Sequence, residues 1–274
     1  MIRSNTFRIA LVIAICLLVL VFGFGGGFGP KANNSLVNDV PIAHFAHRGG
    51  DAQFPENCLE GIAHSITLGY TGVELDIHET KDRVFVLFHD DTCKRLLGID
   101  GLVSEKDLSE LQEPVLLRHS IPSRSHVPTL DAALSRIGDT LLIYLDTKFN
   151  GLDQADSLAR LIARHHAEKF TLVASSSITF LTYLEFHHPE LNTVLEGFDK
   201  GEEWTYWLFP KTFRPDFLSS FDDEVDAAHV AWLREHGLLA NKLVYGMDSA
   251  GYIRMRTAGI TRLIVDEGVP VIRR

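Results

Sequence analysis

Short apolar runs rich in β-branched and aromatic residues alternate with amphipathic stretches along most of this 274-residue chain. Such alternation predicts a parallel sheet whose strands are joined by right-handed helical crossovers. The candidate strands cover residues 42–46, 72–77, 84–88, 141–145, 171–174, 193–195, 217–219, 243–245 and 263–265. Apolar spacing predicts helices over residues 57–68, 129–137, 154–166 and 226–236.

The number of these units distinguishes two parallel architectures. About eight strand–helix units in roughly 240 residues favour a (β/α)₈ TIM barrel. An open doubly wound sheet is the alternative, but no glycine-rich fingerprint follows the first strand. Because there are nine candidate strands for eight places, one must lie outside the barrel, and we expect it among the last three.

The amino-terminal segment is typical of a membrane anchor. Over residues 9–24 every residue is apolar or glycine, and no charged residue appears between Arg8 and Lys31. A helix over residues 9–29 is long enough to cross a bilayer, since about 20 residues suffice. Arg3 and Arg8 precede this helix and predict a cytoplasmic amino terminus. A cleaved signal peptide is the alternative.

These features divide the chain into an anchor or signal segment over residues 1–30, a linker over 31–40 and the barrel over 41–274. Either interpretation of the amino terminus puts the barrel on the non-cytoplasmic side, tethered to the membrane or secreted after cleavage. In that oxidising location Cys58 and Cys93 either pair as a disulfide or remain two buried free thiols.

The charge balance excludes some partners. The chain has 26 Lys and Arg residues against 36 Asp and Glu residues, a formal net charge of −10. This acidity argues against binding to the phosphate backbone of nucleic acids and against electrostatic docking on anionic lipids. It is compatible with a site that collects divalent cations. The sequence leaves the oligomeric state open.

Ionisable residues stand at the ends of four candidate strands, where a parallel α/β fold places its chemistry. They are His47 and Arg48, Glu74 and Asp76, His89, and Asp146 with Lys148. Burying such groups without partners is costly, so a purely structural barrel has no reason to repeat the pattern four times. The pattern therefore predicts a functional site.

The carboxylates among these residues have the spacing of a metal site. Glu74 and Asp76 alternate along one strand, so both side chains point to the same side of the sheet. Their mutual repulsion is removed by a divalent cation, and ligation by oxygen alone suits Mg²⁺ or Ca²⁺. Asp146 and Lys148 repeat the alternation on another strand. The alternative is that one of the first pair caps a helix or forms a surface salt bridge.

The remaining residues indicate chemistry on a phosphate. His47 and His89 are a candidate general acid and general base near neutral pH. Arg48 offers a rigid fork and Lys148 a point charge to one anion. His78 either lines the pocket or forms a hydrogen bond at the barrel top, and we favour the second. Together these groups fit phosphodiester cleavage better than acyl or hydride transfer.

Four motifs occur in an order and spacing that resemble the glycerophosphodiester phosphodiesterase family. They are His47-Arg48-Gly49, Pro55-Glu56-Asn57, Gly72-Val73-Glu74-Leu75-Asp76 and His89-Asp90. A weaker resemblance continues to residue 268, so that it covers residues 42–268. It implies a TIM barrel that uses a divalent cation, Mg²⁺ or Ca²⁺. It also implies hydrolysis of glycerophosphodiesters to glycerol 3-phosphate and an alcohol such as choline or ethanolamine.

The resemblance also implies a role for each matching residue. His47 and His89 correspond to the acid/base pair. The metal ligands correspond to Glu74, Asp76 and Asp146. The phosphate contacts correspond to Arg48 and Lys148, and the supporting residues to Glu56 and Asn57. A small insertion that binds glycerol is expected over residues 96–127.

Three positions depart from the family pattern. The third ligand is usually Glu and is Asp146 here, as in the sphingomyelinase D-like branch, which leaves metal binding possible and substrate choice open. A Trp-Thr-Val-Asn pattern is replaced by residues 245–248, where Tyr245 still offers an aromatic wall to a substrate. The closing Thr-Asp-x-Pro pattern is replaced by residues 265–268, which include Asp266.

Two other functions compete with the glycerophosphodiesterase hypothesis. A lysophospholipase D or sphingomyelinase D-like enzyme of the same barrel type would act on lysophospholipid or sphingolipid at the membrane. A non-catalytic, membrane-tethered binding module is the rival from another class. Trp204, Trp207 and Phe209 would form a lipid-facing lip for such a protein, but we expect them in the core.

Overall fold

The computed structural model describes residues 11–16, 35–50, 53–266 and 269. Its strands are β1 (Ala43–Ala46), β2 (Gly72–Glu79), β3 (Phe85–Leu87), β4 (Leu117–Arg118), β5 (Ile121–Pro122), β6 (Leu142–Thr147), β7 (Thr171–Ser175), β8 (Asn192–Glu196), β9 (Phe217–Phe221), β10 (Lys242–Met247) and β11 (Arg262–Val265). All of them except β3, β4 and β5 run parallel, and β1 closes the ring by pairing with both β2 and β11. The predicted eight-stranded TIM barrel is confirmed.

Helices lie between the barrel strands. They are α1 (Leu59–Leu68), α2 (Lys94–Leu97), α3 (Leu108–Gln112), α4 (Leu130–Ile137), α5 (Leu152–Arg164), α6 (Ile178–His187), α7 (Ala227–Glu235) and α8 (Ser249–Ala258). Thr129 caps α4 by accepting a hydrogen bond from the backbone N–H of Ala132. Between β8 and β9 the chain forms two short 3₁₀ helices, Glu203–Leu208 and Lys211–Phe213, in place of an α-helix.

The third candidate strand is the one outside the barrel. β3 pairs antiparallel with the carboxyl half of β2, and Ile77 lies opposite Leu87. Only residues 80–84 separate the two strands, and a parallel pair needs a crossover of about a dozen residues or more. The expectation that the surplus strand lies among the last three was therefore wrong. Each of those three is a barrel strand.

The barrel interior is apolar at its amino end and polar at its carboxyl end. Large side chains such as Phe45, Tyr144 and Phe217 fill the interior in contact with one another. Val37, in the 3₁₀ helix Leu36–Asp39, closes the amino end, and its carbonyl accepts a hydrogen bond from Arg262. This packing leaves the carboxyl mouth of the barrel as the end where the candidate site residues gather.

Both cysteines of the body are free thiols. Cys58 and Cys93 are fully buried in one apolar cluster beneath β3 and α2. Burial raises the pKa of the Cys58 thiol to about 11, which leaves little reactive thiolate at neutral pH. Of the two alternatives drawn from the sequence, the structure therefore has the unpaired one.

The predicted membrane segment, residues 9–29, lies outside the described residues apart from the helical residues 11–16. Within the described part of the chain, no helix combines the length and the apolar character needed to span a bilayer. Trp207 packs against Trp232, as expected for a core residue, but Trp204 is 64% exposed. The prediction of a core position is therefore wrong for Trp204.

Gly72 gives a test of how tightly the barrel closes. A Cβ atom at Gly72 would lie 2.5 Å from Cδ1 of Phe45 and 2.9 Å from the carbonyl oxygen of Leu142. We expect Gly72→Ala to lower the free energy of unfolding by about 1–3 kcal/mol, because the packed interior has no room to yield. Chemical denaturation followed by circular dichroism measures the loss. The substitution should cost less in a Phe45→Leu background, and an unchanged unfolding midpoint would contradict this account.

Candidate active site

A pocket of about 250 Å³ opens at the carboxyl end of the barrel. Its lining includes His47, Arg48, Glu74, Asp76, His89, Tyr144, Asp146, Lys148, Glu196, Phe221 and Tyr245. Every residue predicted as catalytic, metal-ligating, phosphate-binding or substrate wall is on this lining. The supporting residues Glu56 and Asn57 lie directly behind it, in contact with Arg48 and Asp76.

Three carboxylates meet at the floor of the pocket. Glu74 and Asp76 project from the same face of β2, and Asp76 is paired in register with Asp146 of β6. One oxygen from each of the three side chains lies within 4.8 Å of the others. Burial, together with the charges of Asp76 and Asp146, raises the pKa of Glu74 well above its usual range. Ionisation of all three carboxylates in this buried cluster is therefore unfavourable unless positive charge lies beside them.

A hard divalent cation fits this donor set. All three ligating groups are carboxylates, which favour Mg²⁺ or Ca²⁺ over softer metals. A cation there would stabilise the ionised form of Glu74, which burial disfavours. The residues present thus suit a metal centre by charge, by spacing and by donor chemistry.

Lys148 lines the pocket and also forms ion pairs with two of the three carboxylates. Its Nζ is 2.8 Å from Oδ1 of Asp76 and also forms an ion pair with Asp146. Although burial lowers the pKa of Lys148, these two carboxylates raise it above its ordinary value. The ammonium group therefore partly neutralises the candidate metal ligands, and it also faces the space where a phosphate contact is predicted.

Asn57 fixes the orientation of Asp76. Its Nδ2 donates to Oδ2 of Asp76 at 2.8 Å, and its Oδ1 accepts the backbone N–H of Asp76 at 3.1 Å. This two-point contact is buried and links the turn before α1 to the middle of β2. The predicted supporting residue therefore contacts a metal-ligand candidate directly.

Arg48 stands in a strained turn that aims its donors into the pocket. It has φ of 54° in the 3₁₀ turn His47–Gly49, and its backbone N–H donates to Oε2 of Glu74 at 2.6 Å. Its Nη1 contacts both oxygens of Glu56 at 3.1 Å. Among the described residues its buried Nε has no hydrogen-bond partner. An anion in the pocket would supply that missing acceptor.

The backbone conformation and the close packing at Gly49, in the first motif, require glycine. Gly49 has φ of +55°, and a Cβ atom there would lie 2.7 Å from Cδ2 of Leu75 and 2.9 Å from Cγ1 of Ile62. The turn that presents His47 and Arg48 can therefore pack against the barrel only with glycine at this position.

Each candidate catalytic histidine is paired with an aspartate. Nδ1 of His89 lies 2.8 Å from Oδ1 of Asp90, and Nδ1 of His47 forms a hydrogen bond with Asp266. An aspartate acceptor favours the tautomer with hydrogen on Nδ1, which leaves Nε2 for a proton in transit. Nε2 of His47 is 3.8 Å from Oε2 of Glu74. Both rings line the pocket, so both are placed for proton transfer.

His78 has the structural role that the sequence favoured. Its Nε2 lies 3.4 Å from the backbone oxygen of His89, and the side chain is buried. It thus supports the segment that carries His89 and is not part of the pocket lining.

Several residues of the site carried little or no signal in the sequence. Asp266 belongs to the altered closing pattern at residues 265–268, and its contact with His47 places it in the site. Tyr144 and Glu196 belong to no quoted motif, and the Tyr144 hydroxyl donates to Oε1 of Glu196 at 2.8 Å. Burial and the nearby charge of Asp146 raise the pKa of Glu196 to about 8. The signal available for Glu196 was its position at the carboxyl end of β8, whereas Tyr144 offered only the two-residue alternation that it shares with Asp146 on β6.

Two surfaces extend the pocket in different directions. Tyr245 and Phe221 form an aromatic wall, with ring centroids 4.5 Å apart. Beyond His47 and Arg48 lies a groove of about 550 Å³. Its other lining includes the apolar side chains Phe54, Pro55, Leu96 and Leu117 and the polar residues Glu56, Arg95, Arg118 and His119. The expected insertion, residues 96–127, forms the far side of this groove through the β4–β5 hairpin.

Sequence relatives agree with this site. The chain is 30% identical over 165 residues to glycerophosphodiester phosphodiesterase 1 of Homo sapiens, covering 58% of this chain and 50% of that protein. It is 30% identical over 153 residues to lysophospholipase D GDPD1 of Rattus norvegicus, covering 52% of this chain and 48% of that protein. The chain thus matches about half the length of these curated relatives.

Solved structures share the fold. A phosphodiesterase of Oleispira antarctica, solved in complex with the product sn-glycerol-3-phosphate, is 20% identical with a TM-score of 0.71, covering 82% of this chain and 92% of that one. Glycerophosphodiester phosphodiesterase from Agrobacterium tumefaciens is 21% identical with a TM-score of 0.67, covering 82% and 96%.

A family model matches most of the chain. The model described as the glycerophosphoryl diester phosphodiesterase family matches residues 47–268, which begin at the first catalytic candidate and include almost all of the barrel. The chain therefore belongs to the glycerophosphoryl diester phosphodiesterase family.

Proposed function

We propose that this chain is a metal-dependent phosphodiesterase that hydrolyses glycerophosphodiesters to glycerol 3-phosphate and an alcohol. The observation that carries the proposal is the meeting of two histidine–aspartate pairs with a cluster of three carboxylates in one pocket. Family membership and the curated relatives named glycerophosphodiester phosphodiesterase support the substrate class.

The cationic side chains bind the phosphate in this mechanism. The guanidinium of Arg48, whose Nε lies 3.8 Å from Oδ2 of Asp76 and forms no hydrogen bond among the described residues, donates to one phosphate oxygen. The ammonium of Lys148 attracts another. A divalent cation, Mg²⁺ or Ca²⁺, held by Glu74, Asp76 and Asp146 would neutralise charge that develops on the phosphate.

The two histidines move the protons. One imidazole accepts at Nε2 the proton of the attacking hydroxyl, which belongs to water or to the neighbouring hydroxyl of the glycerol. The new bond from oxygen to phosphorus forms as the bond from phosphorus to the alcohol oxygen breaks. The other ring, as imidazolium, gives its proton to the leaving oxygen. Attack by water yields glycerol 3-phosphate in this single step. Attack by the glycerol hydroxyl yields a cyclic phosphate, which water then opens to glycerol 3-phosphate while the two rings exchange roles. Asp266 and Asp90 keep the two rings in orientation throughout.

Lysophospholipase D activity is the second candidate, and the groove favours it. Phe54, Leu96 and Leu117 lie on the lining of the groove beside His47 and give it an apolar side against which an acyl chain would pack. The relative named lysophospholipase D GDPD1 supports this substrate class as well. A sphingomyelinase D-like activity would use the same surface.

A location at the membrane would suit either substrate. We propose from the apolar run at residues 9–29 that the chain is anchored there, with the barrel on the non-cytoplasmic side. Cleavage of the segment would release the barrel as a secreted enzyme.

The central prediction is metal-dependent cleavage that needs both histidines. We expect the full-length chain to release glycerol 3-phosphate from glycerophosphocholine with Mg²⁺ or Ca²⁺ and to stop with chelator. His47→Ala and His89→Ala should each reduce kcat by about 10²–10⁴-fold while divalent-cation binding persists. His165→Ala, whose ring pairs with Asp131 on the helical layer, is the matched control.

Normal turnover in either histidine variant would refute the assigned roles. Metal binding by the wild-type chain with no turnover on any phosphodiester would favour the non-catalytic binding module. Isothermal titration calorimetry with Mg²⁺ and with Ca²⁺ separates these outcomes and identifies the preferred cation.

Lys148 should oppose metal binding while it supports turnover. Lys148→Met removes an ammonium that pairs with Asp76 and Asp146, so we expect the Kd for the divalent cation to fall by roughly tenfold. Because the phosphate loses a cationic contact, kcat should fall by about 10²-fold. Lys94→Met removes an exposed lysine that pairs with Asp100 and serves as the control. Weaker metal binding in Lys148→Met would count against this placement of the charge.

Leu117 should separate the two substrate classes. Leu117→Glu puts a charge on the apolar side of the groove, so hydrolysis of lysophosphatidylcholine should fall by at least about tenfold. Glycerophosphocholine has no acyl chain, so the rate of its hydrolysis should change by less than about threefold. The measurement is kcat/KM for both substrates on the same preparation. Equal losses of kcat/KM on the two substrates would show that the groove does not bind the acyl chain of the lysophospholipid.

A further inference from the structure

Arg95 lies between two carboxylates at the edge of the site. Its Nε and Nη2 donate to the two oxygens of Asp90 at 2.6 Å each. Its Nη1 and Nη2 donate to the two oxygens of Glu56 at 2.8 and 2.7 Å. One guanidinium group thus forms two bidentate pairs, the geometry that uses its rigid fork most fully.

Each of these carboxylates has a second partner inside the pocket. Asp90 is paired with Nδ1 of His89, and Glu56 with Nη1 of Arg48. His89 follows β3, whereas Arg48 follows β1, and β2 lies between those two strands in the sheet. The network of ion pairs Arg48–Glu56–Arg95–Asp90–His89 therefore connects the segment after β1 with the segment after β3, and β1 and β3 do not pair with each other in the sheet.

The surroundings distinguish this network from an ordinary surface ion pair. The side chain of Arg95 is 47% exposed, but Glu56 and Asp90 are only 19% and 21% exposed. Although burial alone would raise it, the contacts with Arg95 and Arg48 hold the pKa of Glu56 below its ordinary value. Leu96 and Leu97 are buried beside Arg95 and anchor α2 in the protein.

We propose that Arg95 is a positioning residue that holds the general acid/base His89 and the phosphate-binding Arg48 in a fixed relation through Asp90 and Glu56. The inference rests on the proposed function and adds to it a residue outside the pocket floor. It also assigns the cluster of Glu56, His89 and Asp90, whose ligand atoms are close enough for a metal ion, to a guanidinium group in place of a second metal.

The first test compares Arg95→Met with Lys94→Met. Both variants remove one cation from α2, but Lys94 contacts Asp100 and no residue of the site. We expect Arg95→Met to lower kcat/KM for glycerophosphocholine by about 10–100-fold, the size of effect expected from misplacing a catalytic group by about 1 Å. Lys94→Met should change it by less than about twofold. Arg95→Lys keeps the charge without the double fork and should stay closer to Arg95→Met than to the wild type.

Double-mutant cycles test the route of the effect. Asp90→Asn removes the carboxylate that connects Arg95 with His89, and Glu56→Gln removes the carboxylate that connects Arg95 with Arg48. If Arg95 acts through these carboxylates, Arg95→Met should cost less in each of these backgrounds than in the wild type. Fully additive losses in both backgrounds would overturn the proposal, because they would mean that Arg95 acts by another route.

A spectroscopic readout keeps the test independent of activity. Long-range ¹H–¹⁵N NMR reports the protonation and hydrogen bonding of each ring nitrogen, and His89→Gln identifies the signals of His89. We expect Arg95→Met to shift Nδ1 of His89 and to leave the signals of His47 in place. An unchanged His89 together with kcat/KM equal to that of Lys94→Met would refute the inference. Absence of any diester hydrolysis by the wild type would instead refute the proposed function, and the NMR comparison would still decide the role of Arg95.

Discussion

The site depends on three carboxylates that the barrel forces together at its carboxyl mouth. The register of β2 and β6 sets Asp76 beside Asp146, and the strand period puts Glu74 on the same face. In a buried setting this arrangement is stable only if positive charge and hydrogen-bond donors offset the repulsion. Lys148, Asn57 and the backbone N–H of Arg48 supply part of that compensation within the chain. The electrostatic need that remains is the physical basis for expecting a divalent cation.

Much of this arrangement follows from the sequence because it depends on local periodicity. Two-residue alternation is enough to bring Glu74 and Asp76 to one face, and polar ends on apolar strands are enough to locate the site. The barrel itself follows from the count of strand–helix units. The error about the surplus strand arose where connection length, not periodicity, decides the topology, since residues 80–84 allow only a hairpin between β2 and β3. The short connection at residues 80–84 was visible in the sequence, but strand periodicity does not report the length of a turn.

The partners of the catalytic groups were beyond the reach of such reasoning. Asp266 contacts His47 across 219 positions of sequence, and Arg95 contacts Glu56 across 39. Local periodicity carries no information about which distant carboxylate meets which ring. Glu196 shows the same limit, since only closure of the barrel brings it to the hydroxyl of Tyr144, 52 positions away. The resemblance to a family implied Glu56 and Asn57 as supporting residues, but it did not indicate the contacts of Asp266 or Arg95.

The two histidine–aspartate pairs are chemically similar but are held by different parts of the protein. Asp266 follows the last barrel strand, and its pKa is lowered chiefly by the hydrogen bond with His47. Asp90 divides its oxygens between His89 and Arg95, and its pKa is lowered to about 2, chiefly by the hydrogen bond with Arg95. One candidate proton-transfer group is thus held by the last barrel strand, whereas the other is held by the segment after β3. His47, Asp266 and Arg95 all line the groove, so the candidate catalytic groups and the groove share side chains. A substitution on the β4–β5 hairpin changes the groove wall without removing a member of either histidine–aspartate pair, and the hairpin is therefore the part of the groove most separable from the candidate proton-transfer groups.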